Sequence, residues 1–207
     1  MTLLLASGNT HKQREFSELF GKNAVRIPRD FGIDFDHPET GTTFLENALG
    51  KAQALHARCR SASISEIPVI IADDSGISVN ALDGGPGLYS ARFGSDLPNP
   101  PTSDAERTAL LLRALEDAED RRAHYVCAMV ALLEEDRFVV AQETWHGEIA
   151  GEASSGTGGF GYDPVFLVPH LGKTVADIEP DEKNLISHRG KAAARIRSLL
   201  EAAPPVA

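Results

Sequence analysis

One short apolar run constrains the fold of this chain more than any other feature. The run from Val69 to Ala72 is largely β-branched and unbroken, which is typical of a buried strand. Ser75 and Gly76 have the chemistry of a turn and predict that the strand ends there. Asp73 and Asp74 lie in between, and because side chains alternate along a strand, they should face opposite sides of the sheet. If a cleft lies on one side, only one carboxylate can act there, and we expect it to be Asp74, next to the turn.

The remaining elements follow from apolar spacing and from turn and capping residues. We expect a strand at 2–6, a helix at 12–20, a helix from Thr43 to about residue 57, a helix after Ser103, a hairpin of strands 124–133 and 138–145, a strand at 165–168 and a helix at 188–200. Thr43 with Glu46 and Ser103 with Glu106 match the capping-box pattern. Residues 84–87 and 98–101 should be loops. This order, without an internal repeat or a low-complexity linker, predicts a mixed α/β fold that lacks regular βαβ alternation.

Length and charge favour a single catalytic domain that does not bind nucleic acid. The chain has 207 residues, of which 42% are hydrophobic and 24% charged, so residues 1–207 can bury a substantial core as one domain or as two closely joined lobes. The formal net charge of -10 disfavours a general nucleic-acid binder or a binder of anionic membranes. An anionic substrate would therefore need locally concentrated cations.

The sequence predicts a cytoplasmic protein with reduced cysteines. The start from Met1 to Ala6 lacks a basic flank and is too short for a signal peptide. No later apolar run approaches the roughly 20 residues that span a bilayer. Cys59 and Cys127 are far apart, in apolar surroundings and without zinc-type spacing, which favours buried thiols over a disulfide or a metal site.

Two familiar nucleotide-binding patterns match in spacing but not in context. Residues 156–161 satisfy the dinucleotide pattern GxGxxG, but they follow no predicted strand and open no predicted helix. Residues 172–174 resemble the end of a phosphate loop, but the first glycine of that motif would fall at Leu167. We therefore predict neither a Rossmann nor a Walker site.

The turn before the first helix is a better candidate for phosphate binding. Small residues allow the backbone to approach an anion, free N–H groups at the helix start point toward it, and Lys12 adds a full charge. The candidate contacts are Ser7, Gly8, Asn9, Thr10, His11 and Lys12. The alternative is an ordinary turn with a solvated lysine, and His11 taken alone is more typical of a surface residue.

Carboxylates in the first half of the chain predict a magnesium site. Mg²⁺ prefers oxygen ligands and retains waters, so one or two protein carboxylates together with substrate phosphates would suffice. Asp74 with Glu39 fits this requirement, and Glu46 is either a further acidic group of this region or only a helix cap. The alternative is that each of these acids is simply a solvated or capping group.

Two further segments carry groups suited to a planar base. The segment Phe160, Gly161, Tyr162 and Asp163 combines flexible backbone, aromatic faces and a carboxylate, although it could also be a packed loop that leads into a strand. Residues 187–191, which include His188 and Arg189, place several donors at a helix start. Cations there oppose the helix dipole unless an anion or a keto group lies opposite, which favours a binding role.

Together these motifs resemble the inosine triphosphate pyrophosphatase family, also called the XTP/dITP pyrophosphatases. The matching segments are Ser7-Gly8-Asn9 with Lys12 and Glu15; Glu39-Thr40-Gly41 with Phe44 and Glu46-Asn47-Ala48; Ala72 to Gly76; Pro86-Gly87 with Tyr89-Ser90-Ala91-Arg92; Thr157 to Pro164; and Lys183 with Ser187 to Lys191. They occur in the family's order over nearly the whole chain. Phe93-Gly94 stands where the family commonly has tyrosine and a small residue, a mild departure that should leave the chemistry intact.

The resemblance implies an elongated α/β fold of two lobes around a long twisted mixed β-sheet with flanking helices, an active site in the inter-lobe cleft, and a homodimer. It implies hydrolysis of ITP, dITP or XTP to the nucleoside monophosphate and pyrophosphate with Mg²⁺. Asp74 would accept a proton and bind the metal, with Glu39 as a further ligand. Substrate contacts would come from the segment 7–12, Ser75, the segment 160–163, Lys183, His188 and Arg189, and Lys51 would contact the phosphate chain. Donors from His188, Arg189 or loop N–H groups would favour a 6-keto purine over adenine.

Two other functions remain open on the sequence. One is a Mg²⁺-dependent pyrophosphatase for other modified nucleotides, which a substrate panel would distinguish. The other is a nucleotide-binding sensor without turnover, which would require an ineffective metal and acid site despite the intact pair Asp73-Asp74.

Overall fold

The computed structural model describes residues 1–203. The strands of this part are β1 (Leu3–Leu5), β2 (Val25–Arg26), β3 (Val69–Val79), β4 (Arg122–Glu134), β5 (Arg137–Ile149), β6 (Phe166–Val168) and β7 (Lys173–Thr174). The α-helices of this part are α1 (Thr10–Phe20), α2 (Phe44–Ser61), α3 (Asp104–Ala114), α4 (Pro180–Ile186) and α5 (His188–Ala202). The predicted α/β class with a mixed sheet and flanking helices is confirmed. None of the helices within residues 1–203 is long and apolar enough to cross a membrane.

The strands form one mixed sheet in the order β2-β1-β3-β4-β5-β6-β7. β1 pairs in parallel with β2 and with β3, and β5, β6 and β7 pair antiparallel. Parallel neighbours need crossover connections, and α1 and α2 lie in those connections. The first part of the chain therefore does contain helical crossovers, contrary to the expected lack of βαβ alternation, because β2 is only two residues long and leaves no periodic signal.

The turn predicted at Ser75 and Gly76 is wrong. β3 continues through both residues to Val79, and the chain turns only at the short 3-10 segment Asn80–Leu82. Ile77 and Val79 are fully buried, and β4 is the neighbour of β3 in the sheet. Burial and sheet pairing thus outweigh the local turn preference of serine and glycine, and Asp74 lies inside a strand instead of beside a turn.

Several local predictions are confirmed. Thr43 caps α2, which extends to Ser61 instead of ending near residue 57, and Ser103 with Glu106 forms the expected capping box of α3. The hairpin of β4 and β5 is longer than expected, with 13 residues in each strand. Residues 156–161 follow no strand directly and open no helix, so the Rossmann pattern is correctly rejected. Cys59 and Cys127 are buried free thiols.

The chain divides into two compact units. The first unit comprises Met1–Asp74, Cys127–Glu143 and, of the residues that the structure describes, those from Arg189 to residue 203; the second comprises Ser75–Val126 and Thr144–His188. The core of the second unit is built around Ile77, Trp145 and Phe166. The active-site cleft expected from the family resemblance stays a prediction.

The first unit has an apolar core on each face of its strands. One core contains Leu3, Leu5, Phe16, Ile71 and Ile196, and the other contains Leu4, Ala48, Leu55, Ile70 and Ala72. Since Ile71 belongs to the core of α1 and α5, and its neighbours belong to the core of α2, Asp73 faces α1 and α5 while Asp74 faces α2. The predicted alternation of the two carboxylates is confirmed.

Candidate functional site

Asp74 is a buried carboxylate held by side chains of α2. It is 5% exposed, and its Oδ2 accepts a hydrogen bond of 2.8 Å from Asn47 Nδ2. Asn47 Oδ1 in turn accepts from the backbone N–H of Gly41 at 2.8 Å. A Cβ at Gly41 would lie 2.8 Å from Asn47 Oδ1, so glycine is needed for this contact. The chain from Gly41 through Asn47 therefore fixes the orientation of the Asp74 carboxylate.

Lys51 lies between the two carboxylates predicted to bind metal. Its Nζ donates to Glu39 Oε1 at 2.8 Å and lies 3.6 Å from Asp74 Oδ1. Glu39 and Asp74 thus converge on one buried cation, and their oxygens are the hard donors that Mg²⁺ prefers. Among residues 1–203 no group of three or more His, Cys, Asp or Glu side chains is arranged to hold a metal. Glu39 and Asp74 stay the predicted metal ligands, and the structure brings both to one ammonium.

The environment of Asp74 favours its protonated form relative to an ordinary aspartate. Burial raises the pKa of Asp74, the Lys51 ammonium opposes that effect, and the nearby Glu39 carboxylate adds to it. The net effect is a raised pKa. A carboxylate with a raised pKa is a better proton acceptor than a solvated aspartate, which is what a general base requires.

Asp73, on the opposite face of β3, is held by two cations. It is 2% exposed; its Oδ1 accepts from Lys12 Nζ at 2.9 Å, and its Oδ2 accepts from Arg189 Nε at 3.0 Å and Nη2 at 2.9 Å. Arg189 also forms an ion pair with Glu15. Burial alone would raise the pKa of Asp73, but the charges of Lys12 and Arg189 outweigh it and hold that pKa well below its usual range. Asp73 is therefore ionised and organises two cations that we predict to bind substrate.

The predicted phosphate-binding turn has its own internal hydrogen bonds. Asn9 is the N-cap of α1, and its Oδ1 accepts from the N–H groups of His11 at 2.9 Å and Lys12 at 3.2 Å. Ser7 Oγ accepts from Asn9 N at 3.1 Å. Gly8, Asn9, Thr10 and His11 are exposed. The turn is thus surface-accessible, and an anion there would compete with Asn9 for two first-turn amides.

The segment Phe160–Asp163 of the second unit is a tight turn built on one carboxylate. Asp163 N donates to Phe160 O at 3.2 Å, and Asp163 Oδ2 accepts from Phe160 N at 2.9 Å. The same Oδ2 accepts from Lys183 Nζ at 2.9 Å, and Tyr125 OH donates to Oδ1 at 3.3 Å. Gly159 has φ of 72°, and a Cβ there would lie 1.9 Å from Asp163 Oδ2. This geometry explains why a glycine precedes the turn.

Aromatic and cationic groups surround this turn. Lys183 Nζ lies 5.5 Å from the centroid of the Phe160 ring. The His188 ring stacks on Tyr125 at 4.6 Å between centroids with planes 6° apart, and it lies 6.3 Å from Trp145. Tyr125, Trp145 and His188 are buried, whereas Phe160 is half-buried beside the Lys183 ammonium and close to the Asp163 carboxylate. Phe160 therefore offers the most exposed ring of this set for a planar heterocycle.

The predicted residues therefore fall into two groups. The first unit contains Ser7, Gly8, Asn9, Thr10, His11, Lys12, Glu39, Asp74 and Arg189, and the second contains Ser75, Phe160, Gly161, Tyr162, Asp163, Lys183 and His188. Ser75 directly follows Asp74 in β3 and is half-buried. The structure places Lys51, expected at the phosphate chain, between two carboxylates.

Sequence reasoning missed Asn47, Tyr125 and Trp145 as members of these groups. Asn47 is one helical turn before Lys51, beside the apolar positions that face the sheet, and a polar pair at that spacing on an inward helix face is the signal that identifies it. Tyr125 and Trp145 carry no comparable signal, because large aromatic residues in a hairpin are usual core components.

The chain is similar to known proteins over nearly its whole length. A model of the Ham1 family matches residues 3–199 of the chain. The dITP/XTP pyrophosphatase of Treponema denticola is 47% identical over 192 residues, which cover 93% of this chain and 94% of that protein. The HAM1 protein from Coxiella burnetii and the Ham1 protein of Staphylococcus aureus are each 37% identical, with TM-scores of 0.79 and 0.80. Each alignment covers 98% of this chain, with 100% and 99% of the other chain. The family resemblance carried by the motifs is confirmed.

Proposed function

The chain belongs to the Ham1 family, and we propose that it hydrolyses non-standard purine nucleoside triphosphates to the nucleoside monophosphate and pyrophosphate. ITP, dITP and XTP are the expected substrates. Curated relatives that carry the name dITP/XTP pyrophosphatase support this reaction. The reaction class, hydrolysis of a nucleoside triphosphate, also fits a net-acidic chain that concentrates lysine and arginine around a few carboxylates.

The observation that carries the proposal is the convergence of Glu39 and Asp74 on the ammonium of Lys51. The Nζ of Lys51 lies 2.8 Å from Glu39 Oε1 and 3.6 Å from Asp74 Oδ1. We propose that the same two carboxylates hold Mg²⁺ during the reaction. Bound there, Mg²⁺ would supply Lewis-acid stabilisation of negative charge on the phosphate oxygens. Lys51 would then be released toward the phosphate chain, the role expected for it from the family resemblance.

Asp74 is the proposed proton acceptor. A water oxygen forms a bond to the α-phosphorus, the bond from that phosphorus to the bridging oxygen breaks, and pyrophosphate leaves with the electron pair while a water proton passes to Asp74. Asn47 holds Asp74 Oδ2 at 2.8 Å, which turns Oδ1 toward Lys51 and Glu39. The raised pKa of Asp74, caused first by burial, supports its use as a base.

The aromatic and cationic group of the second unit is proposed to bind the base. Phe160 offers a flat face, and the Lys183 ammonium lies close to both Phe160 and Asp163. Hypoxanthine and xanthine present a 6-keto acceptor, whereas adenine presents a 6-amino donor, so a cationic donor discriminates against adenine. His188, Arg189 and Ser75 remain proposed substrate contacts, as do the residues of the turn at 7–12.

We also propose the domain organisation, the oligomeric state and the cellular location that the sequence predicts. Residues 1–207 form one catalytic domain that works as a cytoplasmic homodimer, with neither a nucleic acid nor a membrane as partner. Size-exclusion chromatography with light scattering tests the dimer directly, since a molar mass equal to that of the 22.2 kDa chain would exclude it.

A substrate panel tests the proposed reaction. Purified protein is incubated with ITP, dITP, XTP, GTP and ATP, with Mg²⁺ or with excess EDTA, and pyrophosphate and phosphate are measured separately. We expect pyrophosphate from the 6-keto, non-standard nucleotides, little turnover of ATP, and none with EDTA. Release of phosphate instead of pyrophosphate, or equal turnover of ITP and ATP, would contradict the proposal. No turnover of any nucleotide would favour a sensor.

A further inference from the structure

The backbone N–H and C=O of Gly161 are both hydrogen-bonded to side chains of α3. Gly161 lies in the turn Phe160–Asp163, which is proposed above to bind the base. Gly161 N donates to Asp104 Oδ2 at 2.9 Å, and Thr108 Oγ1 donates to Gly161 O at 3.2 Å. Asp104 and Thr108 are four residues apart and therefore lie on the same face of the helix. Gly161 has φ of 63°, a left-handed conformation that favours glycine. Two side chains of one helical turn thus hold a single glycine in its left-handed conformation.

A movement of Gly161 would also move Phe160 and Asp163, to which the turn couples it. Gly161 is the second residue of the turn closed by the hydrogen bond from Asp163 N to Phe160 O, and Phe160 N is bonded back to Asp163 Oδ2. Asp163 Oδ2 also holds Lys183 Nζ at 2.9 Å. A displacement of Gly161 therefore shifts the Phe160 ring and the position at which Lys183 is held.

The two sides of this loop differ in how tightly they are packed. On one side, Gly158 N donates to Ala176 O at 3.1 Å, and a Cβ at Gly156 would lie 2.6 Å from the same oxygen. On the side of α3, the loop borders a cavity of about 390 Å³ lined by residues of α3, residues 153–154 and 156–161, and Pro164. The hydrogen bonds to Asp104 and Thr108 cross the edge of this open space. Without them the turn has room to relax toward α3.

Of the two residues that hold Gly161, Asp104 and Thr108, Thr108 gives the stronger evidence for a role in the loop. It is 4% exposed, and its hydroxyl donates to Gly161, 53 residues away in the chain. A buried threonine inside a helix ordinarily bonds back to its own helix or is replaced by an apolar residue of the same shape. The hydrogen bond to Gly161 indicates that this hydroxyl stabilises the loop and not its own helix.

We propose that Asp104 and Thr108 are positioning residues that hold the Phe160–Asp163 turn in the geometry that discriminates between purine bases. The proposal rests on the proposed function, because it assigns these two residues to the base-binding half of that reaction. They touch neither the phosphate chain nor the carboxylates of the first unit in this assignment. Their loss should therefore affect base binding more than the chemical step.

Variants at both positions test the positioning role, each with a conservative partner. Asp104→Ala and Thr108→Val remove the two hydrogen bonds singly and together, whereas Asp104→Asn and Thr108→Ser keep an acceptor and a donor. Asp117→Ala, an exposed change beyond α3, is the matched control. Amide hydrogen exchange of Phe160 and Gly161 is measured without substrate, and kcat and KM are measured for ITP and ATP.

We expect each disruptive variant to lose protection at these amides and to raise KM for ITP by about fivefold, the size of one hydrogen bond. The double variant should raise it by about 20-fold, with kcat within about twofold of wild type. The ratio of kcat/KM for ITP to that for ATP should fall, and the conservative variants should restore both readouts. The control should resemble wild type throughout.

Two results would overturn the inference. The first is unchanged amide protection in the double variant, which would mean that the hydrogen bonds do not hold the turn. The second is an equal loss for ITP and ATP, with kcat falling in step, which is the signature of a merely structural role. If wild type itself releases no pyrophosphate from ITP, the proposed function fails and the assignment to base discrimination fails with it. If wild type is active and only the variant results disagree, only the positioning role of Asp104 and Thr108 is wrong.

Discussion

Asp73 and Asp74 are neighbours in one strand and are both almost fully buried, with exposures of 2% and 5%, yet their environments act on them in opposite ways. Asp73 faces α1 and α5, where Lys12 and Arg189 hold its pKa well below the usual range. Asp74 faces α2, where burial and Glu39 raise its pKa despite Lys51. The residue type is the same and the degree of burial is similar. The charges on each face of the sheet move the two pKa values in opposite directions, and on that basis we propose that Asp73 is structural and Asp74 reactive.

The comparison of Asp73 with Asp74 also predicts that one residue matters mainly for stability and the other mainly for activity. An ionised buried carboxylate is tolerated when cations and hydrogen bonds surround it, and removal of one partner then leaves an uncompensated charge. Asp73 is in that position. A buried carboxylate whose protonation is favoured gains little from its charge, and such groups are typical of sites where chemistry is done at a cost in stability. We therefore expect substitutions at the two positions to affect different measurements.

The largest effect is expected for Asp74→Asn. The amide retains the shape but cannot accept a proton from water, so kcat for ITP should fall by about 1,000-fold, within the range for loss of a general base. The free energy of unfolding should change by less than about 1 kcal/mol, because a neutral group suits this site. Steady-state pyrophosphate release and urea unfolding measure the two quantities, with Asp117→Asn as the exposed control. Near-normal turnover would remove Asp74 from the chemical step.

Asp73→Asn should show the reverse pattern. Lys12 and Arg189 would each lose the carboxylate that accepts their hydrogen bonds at 2.9 Å, which leaves the buried Arg189 and the partly buried Lys12 without that counter-charge. We expect the free energy of unfolding to fall by about 3 kcal/mol, as for a broken buried ion pair. Urea unfolding at pH 7 checks this. Equal losses of unfolding free energy in Asp73→Asn and Asp74→Asn would contradict the expected difference between the two residues.

The stability contributed by Asp73 should depend on pH in a defined direction. Its pKa is lower in the folded protein than the unfolded value of about 3.9, so the stabilisation is fully present above that pH and is lost as the pH falls toward the folded pKa. The difference in unfolding free energy between wild type and Asp73→Asn should be the same at pH 7 and pH 5 and smaller at pH 3. Urea titrations at the three pH values measure it. A difference that grows in acid would show that Asp73 is protonated in the folded state.

The smallest effect is expected for Asn47→Ala. This change removes the hydrogen bond to Asp74 Oδ2 and leaves the Gly41 amide without its acceptor on Asn47. Loss of orientation without loss of the carboxylate should lower kcat by about 10-fold. Asn99→Ala, in an exposed loop, is the matched control. A loss as large as that of Asp74→Asn would give Asn47 a direct part in the reaction.

Much of the local structure is predictable because its causes are local. The β-branched run from Val69 predicts the start of β3, Thr43 and Ser103 predict the starts of α2 and α3, and strand alternation predicts the opposite faces of Asp73 and Asp74. The end of β3 is not predictable in this way. Ser75 and Gly76 favour a turn, but burial of the residues after them decides the outcome.

The sequence by itself determined the family, the class of fold and the identity of the acidic pair, because these depend on residue types and on spacings of a few positions. Only the tertiary structure decided which charges and hydrogen-bond donors surround each carboxylate. Lys12 is 61 residues from Asp73, and Arg189 is 116 residues away, so no local pattern reveals that they meet at one carboxylate. Asn47 reaches Asp74 across 27 residues in the same way. The pKa of a buried group depends on charges within a few ångströms, and folding alone brings those charges together.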